Sequence, residues 1–295
     1  MRFAIPLVIA LILLAGCSSA SGKTLAPGTI RVVAGENFWG SVVSQVGGPH
    51  VSVTSIVNDP SADPHQYESD AHDAAAVADA SLVVENGLGY DDFMRQLVSA
   101  TRKHGRVVIV AADVVGVHGN DTNPHLWYST TYAASVAQAA ADALEKIDPA
   151  NATQFRANLR TFQASLAQVD AVVEKIKSRY PNAPVAYTER VPGYMLADAG
   201  LDVKTPPAFA RANEDGSEPN AADAQAMDDL ITTHAVRALL YNAQATSAAS
   251  TEARHLAQQN NIPVIAVTET MPTSAPTYQQ WQLDQDGALL AALGG

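Results

Sequence analysis

From Phe155 onward the apolar positions are Phe155, Leu159, Phe162, Leu166, Val169, Val173, Ile176 and Tyr180, and their spacing alternates between four and three. That period places one apolar stripe along one face of a single helix. Asp148 stands where a cap belongs, Pro149 suits a first helical position, and Pro181 stops the pattern. A helix over 149–180 would be about 48 Å long at about 1.5 Å per residue. A coiled-coil segment would show the same stripe. The flanking patterns favour a spine lying across two lobes.

Those flanks alternate in period. "TIRVVAG", "VSVTSIV", "SLVVEN" and "RVVIVAA" are short β-branched runs, and helical patterns follow around 37–47, 69–79, 90–104 and 130–147. Beyond the spine, "VAYTE", "VRALLYN" and "IPVIAVTE" read as strands, with helical patterns near 192–200, 220–234, 248–260 and 277–293. Strands alternating with helices imply parallel sheets with right-handed crossovers. The expected fold is α/β: two βα-repeat lobes with parallel sheets, 29–148 and 181–295, joined by one long rigid helix, 149–180.

The N-terminus sets the compartment. "MRFAIPLVIALILLAGCSSASG" has one cation, Arg2, and then an apolar run from Phe3 to Ala15. The run is shorter than the roughly 20 residues of a membrane span, so residues 1–16 read as a signal peptide. "LAGC" resembles a bacterial lipoprotein cleavage box, which makes Cys17 the expected lipid anchor and 17–28 a flexible tether. Cys17 is the one cysteine of the chain, so an internal disulfide is impossible. The protein is expected to be exported, held on the outer face of the cell membrane, and monomeric. With 18 Lys+Arg against 30 Asp+Glu, the net charge of −12 argues against a nucleic-acid partner. It is compatible with a cationic ligand.

Four sites carry candidate chemistry, each in or near a loop after a strand-like run. They are "DPHQYE" with His65, "NPHLWY" with His125, "YTERVPGY" with Glu189, and "VTETMP" with Glu269. Ligands of open α/β sheets sit outside the carboxyl ends of strands. A proline before each histidine limits the loop's backbone freedom, which helps hold an imidazole in place. By themselves the four residues are only suggestive, because no local motif links them.

Their order along the chain is more specific. "DPHQYE", "VVENGLGYDDF", "NPHLWY", the long helix, "TERVPGY", and "IPVIAVTET" followed by "TYQQWQLDQDGALLAAL" resemble the cluster A-I solute-binding lipoproteins of bacterial ABC importers for manganese, zinc and iron. The likeness spans about 29–293. It implies two lobes, a metal between them, and a membrane permease as partner. It also implies His65 and His125 as the first two ligands and Glu189 as the third, a place shared in the family by histidine and glutamate. Glu269 becomes the fourth, where aspartate is usual.

Two neutral imidazoles and two carboxylates would neutralise a divalent cation, and the nitrogen and oxygen donors suit Mn²⁺, Zn²⁺ or Fe²⁺. Manganese ranks slightly ahead of zinc, since Glu189 stands where histidine could, and a His-rich loop is lacking. Of the remaining histidines, His72 is weighed as an outer group and His118 as a solvated loop residue. His50, His104, His234 and His255 are expected at the surface. Asn86 is a candidate to orient a ligand, and Trp127 and Tyr128 are expected to pack the cleft wall. The protein is not expected to be an enzyme. The alternatives are a metal-dependent hydrolase using the same His/Glu cluster and a lipid-anchored surface adhesin.

Overall fold

The computed structural model describes residues 26–60 and 64–294. The expected signal peptide, Cys17 and most of the tether lie outside the described residues.

The first lobe holds strands β1 (Ile30–Glu36), β2 (Val51–Val57), β3 (Leu82–Glu85) and β4 (Val107–Val110). They form a sheet of order β2-β1-β3-β4, parallel throughout, with Val32 beside Val53 on one side and Leu82 on the other. Its helices are α1 (Asn37–Gly47), α2 (Ala71–Asp79), α3 (Asp92–Ala100), α4 (Ala111–Val115) and α5 (Thr130–Ile147). The long helix α6 (Ala152–Arg179) follows. The second lobe repeats the plan with β5 (Pro184–Tyr187), β6 (Asp202–Val203), β7 (Leu239–Asn242) and β8 (Val264–Val267), in the parallel order β6-β5-β7-β8. Around it lie α7 (Gly193–Asp198), α8 (Pro207–Glu214), α9 (Ala221–Thr232), α10 (Ala248–Gln259) and α11 (Tyr278–Ala292). In each lobe the strand order reverses direction beside the first strand, between β1 and β3 and between β5 and β7. These switch points open crevices at the carboxyl ends of the strands.

The stripe on α6 is buried at Phe155, Leu159, Phe162, Leu166, Val169 and Ile176, while Val173 and Tyr180 are half-buried. The 28-residue helix is about 42 Å long. Its start differs from the expected cap. Residues Pro149–Asn151 form a 3₁₀ turn, and the Asp148 carboxylate accepts from Asn151 Nδ2 at 2.6 Å instead of capping backbone N–H groups. One apolar cluster runs through both lobes, joining Trp39 and Val42 of α1, Phe162 and Leu166 of α6, Trp281 and Leu289 of α11, and Leu240 of β7. Polar ties accompany it. Asn37 Nδ2 donates to the Met271 carbonyl and Met271 N–H returns the bond to Asn37 Oδ1, each at 2.9 Å. Gln45 and Gln279 exchange a similar reciprocal pair.

Helices α4 and α8 have no counterpart in the sequence pattern. "VVIVAADVV" reads as one β-branched run, yet the chain coils at Ala111, whose side chain is buried with that of Ala112. Gly116, at φ 69°, ends the helix in the left-handed region that glycine tolerates.

Phe162 meets Tyr278 of α11 with ring centroids 6.3 Å apart and is almost fully buried. Phe162→Ala should therefore destabilise the protein by about 3–5 kcal/mol. The exposed Arg160→Ala on the same helix should cost under about 0.5 kcal/mol. Urea unfolding of both variants distinguishes a spine between lobes from a solvated helix.

Candidate metal centre

His65 sits in a 3₁₀ turn, Pro64–Gln66, just before α2, whose N-terminus is fixed by a capping box between Asp70 and Asp73. His125 follows β4 and α4 in a loop held from several sides. Asn86, at the end of β3, donates from Nδ2 to the Pro124 carbonyl at 2.9 Å, and its oxygen accepts from Trp39 Nε1 at 3.2 Å. Asn86 thus orients the loop backbone that carries the ligand. Asn123 fixes the imidazole itself, because His125 Nδ1 lies 2.6 Å from Asn123 Oδ1. That bond places a proton on Nδ1 and turns Nε2 toward the centre, where its lone pair can serve an incoming cation. Asn123 also reaches the second lobe: its Nδ2 donates to the Arg190 carbonyl at 2.8 Å, and its own carbonyl accepts from Tyr194 at 2.8 Å.

Glu269 lies two residues past β8. Its backbone N–H and that of Thr270 both donate to Gln244 Oε1, at 2.6 and 2.9 Å. Gln244 Nε2 in turn stands 3.0 Å from the Pro60 carbonyl, on the chain leading to His65. The Glu269 carboxylate then enters the cleft. Its Oε2 is 3.1 Å from His65 Nε2, 3.6 Å from His125 Nε2, and accepts from the Tyr90 hydroxyl at 2.9 Å. Two donors about 2.0–2.1 Å from one tetrahedral ion stand about 3.4 Å apart. The two imidazole-to-carboxylate distances bracket that value. Ligand atoms of His65, His125 and Glu269 all lie within 4.8 Å of one another.

Glu189 is placed differently. It is buried two residues beyond β5, and its Oε2 accepts from Asn242 Nδ2 at 2.8 Å. The same Asn242 nitrogen donates to Glu269 Oε1 at 2.7 Å, so one amide bridges the two carboxylates. Among the described residues Glu189 Oε1 has no hydrogen-bond partner. Glu189 stands beside the three-residue group and outside its 4.8 Å circle.

The electrostatics follow from burial. Burial alone would raise the Glu269 carboxyl, but the imidazoles of His65 and His125 override it and hold that group below the usual carboxylate range. Glu189 is pushed up to about 8, first by burial and then by the charge of Glu269. Glu36, at the end of β1, is raised as well, by burial and by Asp91 and Glu85. A cation entering the centre would relieve this buried negative charge.

The surrounding side chains sort simply. Trp127 stacks on Phe38 at 4.0 Å and meets the His125 ring edge-on at 5.2 Å. The Tyr128 hydroxyl donates to the Thr268 carbonyl at 2.7 Å, beside Glu269. His72, His104, His118, His234 and His255 are exposed, and His72 groups only with Asp70 and Asp73. His50 departs from its expected surface position: it is half-buried, edge-on to Phe155. Tyr90, Asn123, Asn242 and Gln244 escaped the sequence reading. Asn123 lies only two residues from His125, and Asn242 ends "LLYN" as Asn86 ends "LVVEN".

The metal-free Glu189 carboxyl supplies a pH test. A folded-state value near 8 against an ordinary 4.5 means that the folded chain binds this proton more tightly. Its contribution to stability is present below pH 4.5 and fades as pH rises towards 8, by at most about 1.4 kcal/mol per pH unit. Metal-free Glu189→Gln should gain stability over wild type across that window, measured by denaturant midpoints at pH 5 and 8.5. An unchanged difference at the two values would mean that Glu189 is ionised throughout.

Known proteins are similar to this chain in sequence and fold. A putative metal-binding protein of Treponema pallidum is 26% identical over 197 residues, covering 60% of this chain and 61% of that protein. The manganese-binding lipoprotein MntA of Halalkalibacterium halodurans is 30% identical over 167 residues, covering 56% and 55%. The chain thus spans under two thirds of the length of these curated relatives. The solved periplasmic zinc-binding protein TroA of Treponema pallidum superposes with a TM-score of 0.76 at 21% identity, over 91% of this chain and 100% of that one. The fold is the same, with two parallel-sheet lobes and a long connecting helix. The family model described as zinc-uptake complex component A, periplasmic, matches residues 32–290, and the chain belongs to that family.

Proposed function

We propose that the protein captures a divalent transition metal outside the cytoplasm and delivers it to the membrane permease of an ABC importer. The observation that carries this reading is the convergence of His65 Nε2, His125 Nε2 and Glu269 Oε2, brought from two lobes to the spacing of one coordination sphere. Glu189, whose Oε1 lacks a hydrogen-bond partner among the described residues, joins them as the fourth ligand. The boundaries 29–148, 149–180 and 181–295 describe two gripping lobes and their connecting spine. Relatives described as manganese-binding and as zinc-binding support the two leading candidates. Two imidazoles and two carboxylates balance a doubly charged ion, and manganese stays slightly ahead of zinc, with Fe²⁺ also compatible. The metal is the cargo.

Burial supports a carrier over a catalyst. His125, Glu189 and Glu269 are shut off from solvent, and only His65 reaches the surface, with 21% of its side chain exposed. A hydrolase would need its substrate beside those enclosed carboxylates. The protein acts as a monomer tethered through lipid on Cys17, in keeping with relatives described as lipoproteins.

Three measurements test the reading. A metal bound only by the folded state stabilises it by about 4 kcal/mol at a thousandfold excess over Kd, so Mn²⁺ or Zn²⁺ should raise the melting temperature. His65→Ala should remove most of that shift for both ions, and equal affinity in the variant would sink the site. Glu189→His removes a negative charge and adds a nitrogen donor, which should move preference toward zinc in paired titrations. Unmoved selectivity would exclude Glu189 as a ligand that sets metal choice. Cys17→Ser should release the protein from membranes, and retention of the variant would refute the anchor.

A further inference from the structure

A polar cavity of about 350 Å³ lies beside α6. It opens between α6, α7 and α11, and Tyr128 forms part of its floor. Asp286 of α11 lines it and is fully buried, yet among the described residues neither Oδ1 nor Oδ2 has a hydrogen-bond partner. Nearly all buried polar groups in folded proteins are hydrogen-bonded, so a doubly unpaired carboxyl facing a cavity calls for a donor. The Nε2 of neighbouring Gln282 is also without an acceptor among the described residues. A half-turn of that amide would present its oxygen to the same space.

The rim is acidic. Asp170, Glu174 and Asp198 are exposed around the opening, and Lys177 is the one cationic side chain lining it among the described residues. Such a mouth concentrates cations. The walls supplied by Val169, Val173 and Met195 are apolar. Among the described residues, no three His, Cys, Asp or Glu ligand atoms meet here at metal spacing. The cavity is therefore roomy, negative at both ends and partly greasy, which suits a charged nitrogen on a short hydrocarbon rather than a bare metal ion.

We propose that this cavity binds a small organic ammonium ion, whose N–H groups donate to Asp286 while its methylenes lie against Val169, Val173 and Met195. Burial, and next the charge of Asp170, push the empty Asp286 carboxyl up to about 8, as expected of a group that lacks its counter-ion. The site uses none of the metal-centre residues. Tyr128, three residues after His125, lines it, and the Tyr128 hydroxyl donates to the Thr268 carbonyl beside Glu269.

The experiment is calorimetric titration of the folded, metal-loaded chain with butylamine and with 1,4-diaminobutane, and separately with Mg²⁺. Wild type should bind an amine saturably, and Asp286→Asn should bind it at least tenfold more weakly. No saturable amine binding, undiminished binding in Asp286→Asn, or binding of Mg²⁺ without amine would each overturn the proposal. Should Asp286→Asn fail to fold, the rim variant Glu174→Gln with Asp198→Asn changes only exposed groups. It should weaken amine binding at least threefold at low salt, and unchanged affinity there also overturns the site.

Discussion

The Glu269 carboxylate is fully buried, and burial of a charge is tolerable only where other groups surround it. Tyr90 donates to one of its oxygens and Asn242 to the other, while two imidazoles face it at 3.1 and 3.6 Å. Three of these partners come from the first lobe and one from the second. The carboxylate itself comes from the second lobe, so satisfying it requires the lobes to close on each other. The closed cleft and the ligand geometry are consequences of the same requirement.

That requirement can be met only on a firm frame. The apolar cluster through α1, α6 and α11 is continuous between lobes, and α6 contributes its stripe to the core along most of its length. Reciprocal amide ties, Asn37 with Met271 and Gln45 with Gln279, add direction to an interface whose apolar part is non-directional. Parallel sheets then aim the carboxyl ends of both strand sets at the same gap. The loops after β2 and β4 bring imidazoles, and those after β5 and β8 bring carboxylates.

The second tier of residues explains why the ligand atoms face inward. Asn123 fixes the tautomer of His125, Asn86 holds the backbone one residue earlier, and Gln244 pins Glu269 while touching the chain before His65. Metal-ligating histidines commonly depend on such outer hydrogen bonds. Asn242 has a further part, since its single amide nitrogen spans Glu189 and Glu269 and spaces the two carboxylates.

The chain's own pattern determined the spine, the strands and most of the helices, because periodicity at 3.6 and at 2 residues records which face of each element must leave water. Places after strand-like runs only suggested His65, His125, Glu189 and Glu269, and the family resemblance made them ligand candidates. Short helices such as α4 were hidden, since a five-residue turn inside "VVIVAADVV" is too brief to show a period. The gathering of His65, His125 and Glu269 was decided only by the tertiary structure, as were the offset of Glu189 and the roles of Tyr90, Asn123, Asn242 and Gln244. The gaps between the four ligand candidates are tens of residues long, and nothing local marks one polar side chain as the partner of another so far away. Their distances are set by how two sheets pack across α6, and that packing is a property of the whole core.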